Sequence, residues 1–125
     1  MLYSDGTLRI KTADSGTGTT GDVLGLGSNL DDDTWHQLVV TWQASTTNGR
    51  KIYIDGQLAH QNNVTNPAVY RTTAQSLMYL GGMWIYTTNS FNNNWFNGDI
   101  ANFSIVNSIL SPSEIEDDYD NNSPA

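Results

Sequence analysis

The sequence of 125 residues contains no cysteine. It has only five lysine and arginine residues together, and two glutamates. The lack of cysteine excludes disulfide bonds and thiolate metal sites, so stability has to come from a packed core. The scarcity of basic residues leaves a formal net charge of −8, which argues against binding to nucleic acid or to anionic membrane surfaces. No apolar run approaches the roughly 20 residues that span a bilayer, so we expect no membrane insertion.

The beginning of the sequence also lacks the features of a secretory signal peptide. Met1 to Tyr3 lead directly into the turn sequence Ser-Asp-Gly, without a basic segment followed by an apolar one. The acidic composition, rich in Asn and Thr, is nevertheless typical of an extracellular or cell-surface protein. If the protein is exported, we expect its signal to lie outside this sequence.

Short β-like segments separated by turn residues make up most of the chain. The length fits a single domain over residues 1–125, and residues 44–49, 61–73 and 83–97 are predicted loops. Alternation and β-branched residues predict strands at 7–11, 22–27, 35–43, 50–54, 57–60, 76–81 and 99–107. Asp55-Gly56 predicts a type I′ hairpin turn between two of these strands. The pattern predicts an all-β fold, either a sandwich or a barrel.

The end of the chain changes from a strand pattern to a helix pattern. Ser111 to Glu114 form a capping box with proline at the first helical position, which predicts a helix ending at Asp118 or Tyr119. Residues 119–125 are expected to form a frayed tail.

Several segments, in order, resemble the laminin-G-like domains of the concanavalin A-like lectin and glucanase jelly rolls. They are DDDTWHQLVVTW, KIYIDGQLAH, LMYLGG and FNGDIANFSIVNSILSPSEIEDDY. The family pattern has a Trp-His pair before an apolar strand, a Tyr-x-Asp-Gly hairpin, a Leu-x-x-Gly-Gly strand, a Phe-x-Gly strand and a closing helix. The resemblance covers residues 33–119 and implies an antiparallel β-sandwich with one short C-terminal helix. It also implies that Trp35 and Phe96 lie in the core, and that His36 is a family signature near the end of the sheet.

Members of this family usually carry several further strands before the point at which this sequence begins. A sandwich without them would expose sheet edges and one side of its core. The chain is therefore expected to be a fragment of a longer protein, a truncated domain with a compensating rearrangement, or a domain completed by oligomerisation. We predict a homo-oligomer.

The position of the carboxylates argues against an enzyme. Related jelly rolls include glucanases, which need two carboxylates facing each other at about 5–9 Å across the glycosidic bond. The two glutamates, Glu114 and Glu116, both lie in the predicted terminal helix, and no strand carries two carboxylates on one face at alternate positions. His36 and His60 are the only histidines, and no nucleophile-elbow motif accompanies them. We predict no catalytic residues.

Asp31, Asp32 and Asp99 are candidate calcium ligands. Calcium takes roughly six to eight oxygen ligands, and the family resemblance implies a site at the rim of the sandwich with ligands from several loops. Neighbouring acids in an extended segment point to opposite sides, so Asp31 and Asp32 cannot enclose an ion by themselves. The favoured alternative is that Asp31 or Asp33 bonds local backbone amides in a turn, and no cofactor is required.

The segment GGMWIYTTNSFNNNWFNG is too polar for a core strand and has more aromatic residues than a loop that only connects strands. Sugars are held by aromatic stacking on their C–H faces and by hydrogen bonds from amide and carboxylate side chains. We predict a non-catalytic module that binds carbohydrate or a cell-surface glycan. Its predicted ligand site consists of Trp84, Tyr86, Phe91, Asn93, Asn94 and Trp95. Aromatic residues are also enriched in protein interfaces, so an adhesion or structural module is an alternative, as is an accessory domain of a glycan-active enzyme.

Overall fold

The computed structural model describes residues 8–13, 20–26, 30–64, 80–81, 84–85, 90–91 and 96–122. The chain forms two compact units, one of residues 1–70 with 107–125 and the other of residues 71–106. The elements are β1 Leu8–Ala13, β2 Thr20–Leu26, β3 Leu38–Trp42, β4 Thr46–Ile54, β5 Gln57–Val64, β6 Trp84–Ile85, β7 Ser90–Phe91 and α1 Pro112–Asn122. The sequence predicted an antiparallel sheet and one C-terminal helix, and both are confirmed.

The first unit is organised around an antiparallel meander of β3, β4 and β5, with β4 in the centre. The turn between β4 and β5 consists of Asp55 (φ 51°) and Gly56 (φ 74°). Positive φ at both central residues is the signature of a type I′ turn, whose twist matches that of the strands it joins. The turn predicted from Asp55-Gly56 is therefore confirmed.

Both faces of the central strand β4 are covered. Ile52 is 0% exposed and its neighbour Tyr53 is 2% exposed, and successive strand residues point to opposite faces. The face that carries Ile52 continues across β3 with Val40, which is directly opposite and 44% exposed. The core of this sheet is thus concentrated at β4, and β3 leaves apolar surface in contact with solvent.

β4 begins earlier than predicted, because a register shift between Thr46 and Arg50 carries the strand through the expected polar loop. Ser45 and Asn48 each adopt a φ of 52°, and the Gln43 amide donates to the Gly49 carbonyl at 2.7 Å. β5 likewise continues to Val64, which pairs with Thr46. The predicted loops at 44–49 and 61–73 are therefore wrong over residues 46–49 and 61–64.

The capping box at the start of α1 is confirmed. The Ser111 amide donates to Glu114 Oε2 at 2.7 Å, and the Glu114 amide donates to Ser111 Oγ at 3.3 Å. The backbone N–H and hydroxyl of Ser111 lower the pKa of Glu114. The helix runs to Asn122, three residues beyond the predicted end at Tyr119. Asn121 Nδ2 donates to the Asp117 carbonyl at 2.6 Å, which supports this additional turn.

α1 packs against the β4–β5 turn. Ile115 is 0% exposed, and the Gln37 side-chain amide donates to Asp118 Oδ2 at 2.9 Å. A Cβ at Gly56 would lie 3.3 Å from the Glu116 Cα, so the turn passes directly beneath the helix. No helix within the described ranges is long and apolar enough to span a bilayer.

Two further antiparallel ladders complete the described strands. β1 pairs with β2, with a register shift between Leu8 and Ile10. In the second unit β6 pairs with β7, so that Trp84 is opposite Phe91 and Ile85 is opposite Ser90. These two short strands fall inside the segment that was predicted as a continuous loop, residues 83–97.

Three expectations about the core are wrong. Residues 99–107 form no strand, because Asn102 adopts a φ of 52° and interrupts the extended backbone. Ile105 in this segment is 71% exposed. Trp35 precedes the first residue of β3 and is 41% exposed. Phe96 is 43% exposed and lies over Gly98, where an added Cβ would be 3.0 Å from the ring.

Candidate functional site

A polar groove of about 280 Å³ lies on the face of the β3–β5 sheet that carries Lys51. The sheet contributes Thr41, Gln43, Lys51 and Gln61, the start of β4 contributes residues 46–49, and Ile109 adds an apolar side chain. A ligand pocket for a drug-sized molecule occupies about 300–1,000 Å³. The groove is therefore of a size for one or two small polar rings, such as monosaccharide units.

Strand register brings the groove residues together. Thr41 is directly opposite Lys51 in the β3–β4 ladder, and Lys51 is directly opposite Gln61 in the β4–β5 ladder. Directly opposed residues share a face of the sheet, and Gln43 follows Thr41 by two positions. The sequence analysis missed this site, because Thr41, Lys51 and Gln61 are each ten residues apart along the chain. The available signal was the alternation of polar Thr41 and Gln43 with apolar residues in an otherwise apolar strand.

The polar side chains of the groove have unused hydrogen-bonding capacity. Thr41 is 7% exposed, and a buried hydroxyl without a partner is costly. Within the described residues, the side chains of Thr41, Gln43, Lys51 and Gln61 form no hydrogen bond and no ion pair. The groove therefore offers an ammonium, a hydroxyl and two carboxamides to a ligand that both donates and accepts hydrogen bonds.

The rim of the groove is fixed by local bonds at the start of β4. The Thr46 hydroxyl donates to the Ala44 carbonyl at 2.9 Å, and the Asn48 amide donates to Asn63 Oδ1 at 2.9 Å. A Cβ at Gly49 would lie 2.4 Å from the Gln43 carbonyl oxygen and 2.8 Å from the Thr46 carbonyl oxygen. Only glycine permits this close approach of backbone segments.

At the opposite end of the strands, three side chains form the His36 clamp: Asp32, His36 and Asp55. His36 Nδ1 lies 2.8 Å from Asp55 Oδ2, and His36 Nε2 lies 3.1 Å from Asp32 Oδ1. The Gln37 amide donates to the other Asp55 oxygen at 2.9 Å. The clamp ties the 31–36 loop to the β4–β5 turn, which is a structural role at the end of the sheet.

Hydrogen bonding to Asp55, followed by that to Asp32, raises the pKa of His36 above its ordinary value near 6.5. The bonds from the Thr34 hydroxyl and from His36 lower the pKa of Asp32. The protonated imidazole donates from both ring nitrogens to two carboxylates, whereas the neutral ring has a single N–H donor. The clamp is therefore strongest when His36 is charged.

This arrangement predicts a loss of stability as the pH rises from below the ordinary pKa of His36, near 6.5, through its raised pKa in the folded state. A raised pKa in the folded state stabilises the fold below the ordinary pKa of His36, and this contribution disappears as the pH rises through the folded value. The loss should be at most about 1 kcal/mol, because the ion pairs are partly exposed and screened. Thermal melting of the wild type and of His36→Gln measures it. A variant with the same pH profile as the wild type would contradict the role of the clamp.

Asp32 bonds a nearby backbone amide, which the sequence analysis had expected of Asp31 or Asp33. Its Oδ1 accepts from the Thr34 amide at 3.1 Å and from the Thr34 hydroxyl at 2.6 Å, an Asx-turn assigned in the sequence analysis to Asp31 or Asp33. Asp99 belongs to the second unit. Over the described part of the chain, no three His, Cys, Asp or Glu side chains group in a way that could hold a metal. Calcium binding by Asp31, Asp32 and Asp99 stays a prediction.

The predicted aromatic ligand site is described in part. The backbones of Trp84 and Phe91 are opposite each other in the β6–β7 ladder. Tyr86, Asn93, Asn94 and Trp95 lie outside the described residues. The role of these six residues in binding stays a prediction.

Comparison with known proteins identifies the family. The family model Laminin_G_3, which describes the concanavalin A-like lectin/glucanases superfamily, matches residues 1–116. No curated protein matches the chain. The 2.1 Å crystal structure of an S-layer domain-containing protein (residues 221–444) from Clostridium thermocellum ATCC 27405 is similar in fold, with a TM-score of 0.59 and 24% identity. The alignment covers 93% of this chain and 52% of that one, so the chain spans about half the length of the solved structure. The resemblance seen in the sequence is confirmed, and the chain belongs to the concanavalin A-like lectin/glucanase superfamily.

Proposed function

We propose that this domain is a non-catalytic module that binds carbohydrate in the polar groove. The observation that carries the proposal is the set of polar side chains of Thr41, Gln43 and Gln61 on one face of the sheet, which have no partner among the residues that the structure describes. A saccharide presents hydroxyls that both donate and accept, which is the complement of a hydroxyl and two carboxamides. Stacking of sugars on the predicted aromatic residues of the second unit, among them Trp84 and Trp95, is a separate part of the proposal.

Family membership supports other parts of the proposal. The description of the superfamily includes lectins. We also propose that the domain forms the complete two-sheet sandwich of that fold. We place the domain outside the cell or on its surface, in keeping with laminin-G-like domains and with the similar structure, which comes from an S-layer domain-containing protein.

The lining of the groove favours binding over hydrolysis. Glycosidases use two carboxylates, one as acid and the other as nucleophile or base. Among the described residues that line the groove, none is Asp or Glu. Both glutamates of the chain lie in α1. We therefore expect no turnover of polysaccharides by this chain alone.

Replacement of Gln61 by Ala should weaken glycan binding about tenfold, which corresponds to the loss of one or two hydrogen bonds. A glycan array identifies a ligand, and calorimetry with that ligand measures the change. Gln57→Ala is the matched control, because Gln57 is an exposed glutamine on the same strand outside the groove. Equal effects of the two substitutions, or hydrolysis of the ligand, would contradict the proposal.

The exposed apolar residues favour a second candidate function, adhesion through protein contacts. Leu38 and Val40 are two positions apart on one face of β3 and are 48% and 44% exposed. Apolar surface of this kind marks interfaces, and a homo-oligomer in which a second copy covers β3 is part of this proposal. Light scattering that shows only monomers at high protein concentration would contradict it.

A further inference from the structure

The charge distribution of the chain singles out Lys51. Residues 30–64 and 96–122 contain two basic side chains, Arg50 and Lys51, in a protein with a net charge of −8. Arg50 is 1% exposed and its Nε donates to Asn62 Oδ1 at 2.7 Å. Arg50 and Lys51 are adjacent in β4 and so lie on opposite faces of the sheet. In these two ranges Lys51 is therefore the lysine or arginine side chain that lines the groove.

Lys51 is in the middle of the polar groove, with Thr41 on one side and Gln61 on the other. It is half-buried, and within the described residues its ammonium has no ion pair and no hydrogen bond. A carboxylate from the protein is also missing from the described lining of the groove. As far as the described residues show, the groove thus carries one positive charge without a nearby counter-charge, although acids outnumber bases in the chain by 13 to 5.

We propose that the groove selects an acidic carbohydrate, whose negative group pairs with the Lys51 ammonium. This inference depends on the proposed function and adds the class of ligand. The carboxamides of Gln43 and Gln61 and the hydroxyl of Thr41 bond the sugar hydroxyls, while Lys51 pairs with a uronate carboxylate or a sulfate ester. An ion pair in a groove partly shielded from water is stronger than one on an open surface. The net charge of −8 repels a densely charged polyanion, so the inferred ligand is a short saccharide with an isolated acidic group at Lys51.

The test compares pairs of short ligands that differ chiefly in the charge of one substituent, using the wild type, Lys51→Gln and Lys51→Arg. The first pair is digalacturonate and its methyl ester, and the second is a monosulfated disaccharide and its unsulfated form. We expect the wild type to prefer the charged member of at least one pair about tenfold, with a preference that declines as salt is added. Lys51→Gln should abolish the preference, and Lys51→Arg should keep most of it. The pair that shows the preference identifies the acidic group.

The outcomes separate this inference from the function on which it depends. Binding of neutral sugars without any preference for charged ones, or a preference that survives in Lys51→Gln, would overturn the inference and leave the proposed function intact. A failure to bind any sugar would overturn both. Unchanged melting temperatures of the two variants serve as the control for folding, and Lys51→Arg supplies a second variant in case Lys51→Gln is unstable.

Discussion

Replacement of Ile52 by Ala should lower the free energy of unfolding by about 2–5 kcal/mol. Ile52 is 0% exposed in the central strand of the meander. The substitution removes apolar surface buried against its neighbours and leaves a cavity that the flanking strands cannot fill without moving. Urea unfolding followed by tryptophan fluorescence measures the effect.

Val40→Ala is the control, because Val40 is directly opposite Ile52 on the same face and is 44% exposed. In a monomer it should cost less than about 1 kcal/mol, since its surface is already partly in water. If a second copy covers this face, the cost of Val40→Ala should increase with protein concentration. An Ile52→Ala variant no less stable than Val40→Ala would contradict the assignment of the core to β4.

The second large effect is expected at Gly49. An alanine Cβ there would lie 2.4 Å and 2.8 Å from two backbone carbonyl oxygens, which cannot rotate away as the end of a side chain can. We expect a loss of about 1–3 kcal/mol from overpacking, together with loss of ligand binding, because the displaced segment forms the rim of the groove. Thermal melting and calorimetry measure the two effects.

Thr47→Ala is the matched substitution for Gly49→Ala. Thr47 lines the same groove and is exposed, so its truncation should leave stability within about 0.5 kcal/mol of the wild type. Equal stability of Gly49→Ala and the wild type would show that the bulge at the start of β4 adapts without cost, and would contradict this prediction.

Features encoded by neighbouring residues could be predicted from the sequence. The Asp55-Gly56 turn follows from the tolerance of these two residues for positive φ. The start of α1 follows from the reciprocal bonds of Ser111 and Glu114. Both depend on contacts over a few residues, which the order of residue types is enough to specify.

Burial could not be predicted in the same way, because it depends on what packs against a segment. Trp35 and Phe96 have the chemistry of core residues and are each more than 40% exposed. The alternation in residues 99–107 is that of a strand, but Asn102 in the left-handed region ends the extended conformation. An apolar residue type indicates that burial of the side chain is favourable. Whether the side chain is buried depends on distant parts of the chain that pack against it.

The polar groove was missed for a related reason. Thr41, Lys51 and Gln61 come from three strands, and the register of two ladders decides that they are aligned. A shift of one residue in either ladder would place Lys51 and its neighbours on opposite faces. In the β4–β5 ladder, Lys51 aligns with Gln61 only because the register shifts between Ile52 and Tyr53, and the residue types around this point did not predict the shift.

The His36 clamp and the polar groove are at opposite ends of the same three strands. Gln37, which follows His36, is four positions from Thr41, and Lys51 is four positions from Asp55, a distance of about 13 Å at about 3.3 Å per residue. The Debye length at physiological salt is about 8 Å, and substitutions more than about 7–10 Å apart usually act independently. Titration of His36 therefore leaves the field at Lys51 nearly unchanged. Stability and ligand selectivity can accordingly be adjusted separately in this domain, and the effects of combined substitutions should be additive.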